Sequence, residues 1–382
     1  MIWSPVTLES WLSRQQAVLT DVSDAVRAII DEVKIGGDAA LFDLSERFDR
    51  IIPDALRVSD DEIDAAYDAA DPEVVEALTM AYARISAFHE TQRCRDLSLT
   101  ESGTGILLGT KTCPLERIGM YVPGGRASYP STVLMCAVPA QVAGVEEIVC
   151  CTPPPANPLT LIAADIAGVS EIYTIGGAQA IAAMAMGTAS VRPVQKIVGP
   201  GNAYVTAAKM ILRGMVEIDF PAGPSEIAII ADDSARPDFI AADILAQSEH
   251  DPLASSVLIT TDPELPQTVG EWIERLLNDA PRREIITQSL TRSGFMVVSS
   301  LEEGVRRSDR IAPEHLSIQV RDPLELLNRV RNAGSIFVGP YAPVACGDYA
   351  SGTNHVLPTA GNARLYSGLN VAHFTRTSTV QV

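Results

Sequence analysis

Apolar residues recur with helical spacing near the N-terminus, and from residue 118 onward they form short continuous runs instead. The first pattern predicts an N-terminal helical segment: a helical pair over 22–50 that breaks at Gly36-Gly37, and later a long helix that begins at Asp71-Pro72. His89 falls on this last helix with no polar cluster around it in the sequence. We therefore predict that His89 is an exposed helix residue.

Beyond residue 118, apolar runs of strand length alternate with stretches of helical spacing. The predicted strands are 118–122, 147–151, 171–175 and 196–198 in a first block, and 226–231, 256–260, 294–299, 316–320 and 335–338 in a second. Such alternation predicts parallel sheets with helices on both faces, so the fold class is α/β with two similar units.

Three strands of the first block run into glycine turns, after residues 122, 175 and 198. The carboxyl ends of strands are where α/β sheets bind ligands. None of the turns has the Gly-x-Gly-x-x-Gly spacing, so the motif alone does not predict a dinucleotide cofactor. The turn at 199–202 reads Gly-Pro-Gly-Asn and opens a helix, which would offer backbone amides to a phosphate. The alternative is that these glycines serve tight turns only.

Composition narrows the class of protein. The chain has 382 residues and a net charge of −19, which argues against binding to nucleic acids or anionic membranes. Its apolar runs stay well short of the ~18 residues of a membrane span, and its N-terminus lacks the pattern of a signal peptide. The six cysteines show no Cys-x-x-Cys spacing, as expected for free thiols in a reducing compartment. We expect a cytoplasmic protein.

Three of the five histidines lie in dense polar motifs of the second block. Gln247 and His250 are three residues apart at the end of a predicted helix, so their side chains leave the same face and form half of a metal site. Asp348 follows a glycine in a third polar stretch. Glutamine, histidine and aspartate suit a catalytic zinc with an open position, although manganese or cobalt would also accept them. A capping histidine and an ordinary turn are the structural alternatives.

Glu314 and His315 are adjacent in the motif Ala-Pro-Glu-His-Leu. A carboxylate beside an imidazole is a general acid/base pair that can move protons and activate a water molecule. A solvated ion pair is the alternative. Because few histidines occur elsewhere, the joint occurrence of these motifs with the metal-ligand types favours an active site.

The motifs together resemble the histidinol dehydrogenase family over about residues 26–378. The segments that carry the resemblance are Tyr-Val-Pro-Gly-Gly (121–125), Gly-Gly-Ala-Gln-Ala (176–180), Val-Gly-Pro-Gly-Asn (198–202), Pro-Ala-Gly-Pro-Ser-Glu (221–226), Gln-Ser-Glu-His (247–250), Ala-Pro-Glu-His-Leu (312–316) and Gly-Asp-Tyr-Ala-Ser-Gly-Thr-Asn-His-Val-Leu-Pro-Thr (347–359). The resemblance implies two Rossmann-like, doubly wound parallel-sheet domains. It predicts an NAD-binding domain at 118–227, and a metal and catalytic domain from 228–382 joined by the N-terminal helices of 1–117.

The resemblance also implies the roles of individual residues. One Zn²⁺ per chain would be held by Gln247, His250 and Asp348, and Glu314 and His315 would be catalytic, activating water and transferring protons. The substrate, L-histidinol, would be bound by Ser225, Gln247, His250, His315, Asp348 and His355, and NAD would be contacted by Tyr121, Gln179 and Asn202. The implied reaction is a four-electron oxidation through an aldehyde in a homodimer.

Two departures from the family pattern change these expectations. Family members normally continue past the segment 374–378 into a tail that supplies a glutamate and a histidine to the partner's site, whereas this chain stops at Val382. Val344 stands where the family usually has a glutamate. The alternatives are therefore a related amino-alcohol dehydrogenase with an altered substrate, or a catalytically silent homologue that acts as a binding subunit.

Overall fold

The computed structural model describes residues 3–16, 22–103, 105–124, 129–221 and 223–382. Gly125 and Ala222, which belong to two of the motifs above, lie outside the described residues. The helices are α1 (Leu8–Gln16), α2 (Ser23–Asp49), α3 (Asp60–Ala69), α4 (Pro72–Glu90), α5 (Pro130–Ala143), α6 (Pro158–Ile166), α7 (Gly177–Met186), α8 (Ala203–Leu212), α9 (Pro237–Ser248), α10 (Leu265–Leu277), α11 (Arg283–Leu290), α12 (Leu301–Ile311), α13 (Pro323–Leu327) and α14 (Val344–Tyr349).

All nine predicted strands are present, together with strands that the alternation of apolar runs did not predict. The strands are β1 (Leu97–Glu101), β2 (Leu107–Pro114), β3 (Arg117–Tyr121), β4 (Glu147–Thr152), β5 (Glu171–Thr174), β6 (Lys196–Val198), β7 (Glu217–Ile218), β8 (Glu226–Ala231), β9 (Ser255–Thr260), β10 (Gly294–Val297), β11 (His315–Gln319), β12 (Ser335–Val338) and β13 (Thr375–Gln381). Single 3₁₀ turns lie at Asn362–Arg364 and Val371–Phe374.

Two compact units share these elements. Unit 1 is formed by the described residues of Met1–Thr20, Phe220–Ala350 and Leu357–Gly368, and unit 2 by those of Asp21–Asp219, Ser351–Val356 and Leu369–Val382. Unit 1 contains the parallel sheet β10-β9-β8-β11-β12, and unit 2 the parallel sheet β5-β4-β3-β6-β7. Each sheet has its own strands in the order third, second, first, fourth, fifth, which is the Rossmann order. The predicted fold class is confirmed.

Helix α1 belongs to unit 1, and helices α2, α3 and α4 belong to unit 2, whereas the sequence analysis grouped all of residues 1–117 with the second block. The reason is packing of the apolar face of α2. Val26, Ile29, Ile30 and Val33 are buried in one cluster with residues of α7 and α8. Gly37, with φ +54° and ψ −133°, has non-helical backbone and divides α2 into two helical segments at the predicted break.

A third, antiparallel sheet in unit 2 has the order β1-β2-β13. Its strands are largely exposed, and the apolar side chains of Leu97, Leu99, Ile106 and Leu108 are open to solvent. This small sheet therefore contributes little to the core of the unit.

The prediction that His89 is exposed is wrong. Its side chain is 0% exposed at the end of α4. Its Nδ1 lies 2.9 Å from Gln92 Oε1, and its Nε2 lies 3.2 Å from Asn354 Nδ2. Burial lowers the pKa of His89, partly offset by the bond to Gln92. The polar partner Asn354 is far away in the sequence, so the local pattern gave no sign of this environment.

None of the helices among the described residues is both long and apolar enough to span a bilayer. The cysteines are free thiols, and three of them, Cys136, Cys150 and Cys151, are buried in unit 2. Burial raises the pKa of each of these three thiols, so they behave as apolar core residues.

Asp243 gives unit 1 a testable pH dependence. It is 6% exposed on α9 and its pKa is raised from 3.8 to about 6 by burial, opposed by the N–H of Val344. As pH rises from about 4 to about 6, the unfolded chain loses this proton before the folded chain, so folding stability falls by up to about 3 kcal/mol. Asp243→Asn keeps an acceptor for Val344 but has no charge. We expect its Tm advantage over the wild type to grow across that pH interval and then stay constant. An advantage that is the same at every pH would contradict this.

Candidate active site

The predicted catalytic residues gather at the amino edge of the sheet in unit 1. Glu226 is the first residue of β8 and His315 the first of β11, and these two strands are neighbours with His315 opposite Ile227. Helix α9 ends close by and supplies Gln247, while α14 supplies Asp348. Ligands of doubly wound sheets usually bind at the carboxyl edge, so this location does not follow from the fold alone.

The imidazole of His315 is the centre of the cluster. Its Nδ1 lies 3.1 Å from Gln247 Oε1 and 3.8 Å from Glu314 Oε2, and its Nε2 lies 3.9 Å from Asp348 Oδ1. His315 is 5% exposed and Gln247 4%. The structure therefore brings together Gln247, Glu314, His315 and Asp348, which come from three separate motifs of the sequence.

The carboxyl group of Glu314 is buried and is hydrogen-bonded to a backbone N–H group. Its Oε2 accepts a hydrogen bond from the N–H of Glu226 at 3.0 Å, and it also interacts with Ser225. Burial raises the pKa of Glu314 well above its ordinary value, the nearby charges of Glu226 and Asp348 raise it further, and the hydrogen bonds act in the opposite direction. A carboxyl with a raised pKa is suited to act as a proton acceptor near neutral pH.

Asp348 and His250 differ in how far they join this cluster. Burial raises the pKa of Asp348 to about 7, and no basic side chain offsets that rise. His250 follows the end of α9, where its side chain is exposed to solvent. Desolvation by neighbouring protein atoms lowers the pKa of His250. The solvent exposure of the ring limits this effect. Among the described residues, no hydrogen bond joins its ring to Gln247 or Asp348.

The donors near His315 fit a divalent cation in their chemistry. The described part of the chain contains no arrangement of three or more His, Cys, Asp and Glu side chains that could hold a metal. The predicted set includes an amide, however, and Gln247 Nε2 is buried without a hydrogen-bond partner among the described residues. Rotation of this amide by 180° would leave its oxygen as the free atom instead. A cation at this position would also place a positive charge beside the carboxylate of Asp348.

The two remaining predicted substrate residues lie in different units. Ser225 directly precedes β8 in unit 1 and is placed beside Glu314. His355 belongs to unit 2, where its Nε2 lies 3.1 Å from Ser131 Oγ, a residue in the first turn of α5.

Unit 2 has a cavity of about 950 Å³ at the carboxyl edge of its sheet, lined in part by Tyr121, Gln179 and Asn202. The hydroxyl of Tyr121 accepts a hydrogen bond from the N–H of Gly177 at 3.0 Å, which ties the end of β3 to the start of α7. Asn202 Oδ1 accepts from the N–H groups of Tyr204 and Val205 and caps α8. The N-termini of α7 and α8 thus both lie at the cavity, an arrangement that favours the binding of phosphate groups.

Three further residues near these sites were missed by the sequence analysis. Glu226 orients Glu314 through its backbone, Asp243 accepts from the first residue of the helix that carries Asp348, and Asp49 lines the cavity in unit 2. Each acts across a large separation in the sequence; Glu226 ends the quoted motif 221–226 without a role having been assigned to it, and Asp243 and Asp49 lie in none of the quoted motifs.

Comparison with known proteins decides the family. The family model of histidinol dehydrogenase matches residues 12–382. The chain belongs to the histidinol dehydrogenase family. It is 49% identical to histidinol dehydrogenase of Methanosarcina barkeri, covering 99% of this chain and 88% of that protein. It is 51% identical to the enzyme of Brucella suis, covering 96% and 86%.

A solved histidinol dehydrogenase structure shares the fold across the chain. The crystal structure from Elizabethkingia anophelis superimposes with a TM-score of 0.94 at 40% identity, covering 99% of this chain and 89% of that one. The resemblance to histidinol dehydrogenase that rested on short motifs is therefore confirmed. Both the cluster around His315 and the cavity in unit 2 lie within the residues that the histidinol dehydrogenase model matches.

Proposed function

We propose that the protein oxidises L-histidinol to L-histidine in histidine biosynthesis, with NAD as the oxidant and one Zn²⁺ per chain. The observation that carries this proposal is the buried cluster in which Gln247, Glu314 and Asp348 surround the imidazole of His315. Membership in the histidinol dehydrogenase family supplies the substrate class.

The overall reaction consumes one alcohol, one water and two NAD, and yields one carboxylate, two NADH and three protons. In the first oxidation the alcohol loses a proton and a hydride to give the aldehyde, histidinal. Water then adds to the aldehyde, and the hydrate loses a second hydride to give the acid. NAD supplies the hydride acceptor in each oxidation when it is bound.

The chain's own side chains would handle the protons. His315 accepts the proton of the alcohol: its Nδ1 is oriented by Gln247 Oε1 at 3.1 Å, and its buried Nε2 lies 3.9 Å from Asp348 Oδ1, beyond hydrogen-bond distance of that carboxylate. Glu314 accepts a proton from the attacking water, and its raised pKa matches that task. Ser225, beside Glu314, and His355, beside Ser131, would bind polar groups of the substrate.

Gln247, His250 and Asp348 would hold the Zn²⁺, which supplies a positive charge that binds and orients polar groups of the substrate. The buried amide of Gln247 and the raised pKa of Asp348 support this assignment. His250 lies three residues after Gln247, in a turn in which its N–H donates to the carbonyl of Gln247 at 3.4 Å. Manganese or cobalt would suit the same donors.

The cavity in unit 2 would bind NAD through Tyr121, Gln179 and Asn202. The residues around 118–227 would then form the cofactor domain, and the domain that contains the cluster around His315 would be the metal and catalytic domain. Its volume and the two helix N-termini support this role. We also propose a homodimer in the cytoplasm. The exposed apolar side chains of β1 and β2 support an assembly, since such rows are costly to leave in water.

The test is to incubate the purified protein with L-histidinol and NAD and to follow NADH, before and after metal removal by chelation. We expect two NADH per histidinol, loss of activity on chelation, and recovery with Zn²⁺. Metal analysis should find one zinc per chain in the wild type, and His250→Ala should lose it. The control is Arg331→Ala, on an exposed surface of unit 1, the unit that contains His250. His89→Ala is unsuitable as a control because the ring of His89 is buried.

Other outcomes identify the alternatives. Activity on a different amino-alcohol, with none on histidinol, would favour the altered-substrate alternative, for which the buried Val344 at the start of the helix that carries Asp348 is the structural reason. No NADH from any amino-alcohol would favour a binding subunit. Unchanged zinc in His250→Ala would refute the assignment of that ligand.

A further inference from the structure

Asp49 places a carboxylate in the cavity of unit 2, and no basic side chain of the described residues forms an ion pair with it. It is the last residue of α2, and the carboxylate lines the cavity alongside Tyr121 and Pro153. Its Oδ2 is buried and has no hydrogen-bond partner among the described residues. Burial alone raises the pKa of Asp49. Burying a carboxylate without hydrogen-bond donors costs free energy, and a ligand that donates hydrogen bonds to it would offset that cost.

The position of Asp49 within the sheet indicates which ligand group it would meet. In dinucleotide-binding sheets with this strand order, an acidic residue after the second strand accepts hydrogen bonds from a ribose of NAD. Here the second strand, β4, ends at Thr152 and continues into three prolines, so that acid is absent from its usual place.

Asp49 lies beside this strand end although it comes from a helix far earlier in the chain. A Cβ added to Gly176 would lie 3.1 Å from Pro153 Cβ and 3.3 Å from Asp49 Oδ2. Pro153 follows β4 and Gly176 follows β5, so the carboxylate sits next to the carboxyl ends of both strands.

We propose that Asp49 accepts hydrogen bonds from the adenosine ribose hydroxyls of the cofactor and thereby selects NAD over NADP. This inference rests on the proposed binding of NAD in the cavity. A ribose diol donates two hydrogen bonds to one carboxylate, whereas the 2′-phosphate of NADP would place like charges together in a partly buried site. Helix α2, whose apolar face is buried in the core of unit 2, would thus also supply the carboxylate that discriminates between NAD and NADP.

The test is direct binding, measured by calorimetry on the whole protein with NAD, 2′-deoxy-NAD and NADP. Wild type should bind 2′-deoxy-NAD about tenfold more weakly than NAD, because one hydrogen bond to a charged acceptor is lost. Asp49→Asn should weaken NAD binding by about tenfold and show little further loss with 2′-deoxy-NAD. The ratio of the Kd for NADP to that for NAD should fall in this variant by about tenfold or more. Asp43→Asn, an exposed acid on the same helix, is the matched control.

The outcomes separate the inference from the proposed function. If wild type binds NAD and 2′-deoxy-NAD equally well, Asp49 does not read the ribose, and that measurement needs no variant to fold. If Asp49→Asn and the deoxy substitution weaken binding independently, Asp49 acts only on the structure of the cavity, for example through the N-terminus of α7, and the inference is overturned. Failure of wild type to bind any of the three nucleotides would overturn the proposed cofactor itself.

Discussion

Replacing Glu314 by glutamine is expected to slow the oxidation of histidinal by about 100- to 10,000-fold, the usual contribution of a general base. The oxidation of histidinol to histidinal should be affected far less, because it needs no water. Glutamine keeps an oxygen that can accept the N–H of Glu226, so the local structure should survive. What the variant loses is the ability to take a proton.

Single-turnover formation of NADH, started from histidinol or from histidinal, measures the two half-reactions separately. In wild type, the second half-reaction should increase with pH as Glu314 loses its proton, and the burial of this group moves that increase above the ordinary range of a glutamate. The increase should be absent in Glu314→Gln. Glu325→Gln, an exposed glutamate in the same unit, is the control. An equal loss in both half-reactions would mean that Glu314 orients His315 instead.

The alternating apolar runs were sufficient to predict the centres of both parallel sheets because strands such as β3, β8 and β11 are buried on both faces, whereas the short edge strand β7 was not predicted. They were not sufficient for the N-terminal region. The apolar face of α2 could have packed on either sheet, since residues such as Val26 and Ile29 suit any helix-facing surface. Its location in unit 2 is set by contacts with α7 and α8, more than a hundred positions away in the sequence.

The motifs predicted which residues are chemically important, and less well how they are arranged. Glu314 and His315 are adjacent in the sequence and remain so in the cluster, whereas Gln247 and Asp348 reach His315 only through the pairing of β8 with β11 and the placement of α14. An ordinary turn was the structural alternative to a metal ligand at Asp348, and the structure has a short helix there. The location at the amino edge of the sheet was not predicted, because glycine turns draw attention only to the carboxyl ends.

A buried ion pair in unit 2 supports the loop 199–202, which leads to Asn202 at the cavity. Lys209 and Asp219 form a direct ion pair, with side chains 4% and 1% exposed. Lys209 Nζ donates to the carbonyl of Gly199 at 3.0 Å, and the N–H of Gly199 donates to Asp219 at 2.8 Å. Gly199 has φ +106°, and a Cβ there would lie 2.3 Å from the carbonyl oxygen of Tyr121. The pair therefore holds both polar groups of a glycine that no other residue can replace.

Lys209→Met is expected to destabilise the protein by about 3 to 5 kcal/mol, because it leaves the carboxylate of Asp219 buried without its counter-charge. For a unit of this size, that corresponds to a fall in Tm of roughly 6 to 20 °C. The control is Arg213→Met, directly after the same helix, where the exposed pair with Glu217 is worth only about 0.2 to 1 kcal/mol. Thermal unfolding followed by circular dichroism measures both.

The double variant Lys209→Met/Asp219→Asn tests the reason for that loss. It removes both charges, while the asparagine oxygen can still accept the N–H of Gly199, so stability should recover most of what the single variant loses. Binding of NAD should not recover to the same extent, because the carbonyl of Gly199 still lacks its donor and the loop leading to Asn202 remains less fixed. A double variant as unstable as Lys209→Met would show that the lost contacts of the lysine stem, and not the uncompensated charge, cause the destabilisation.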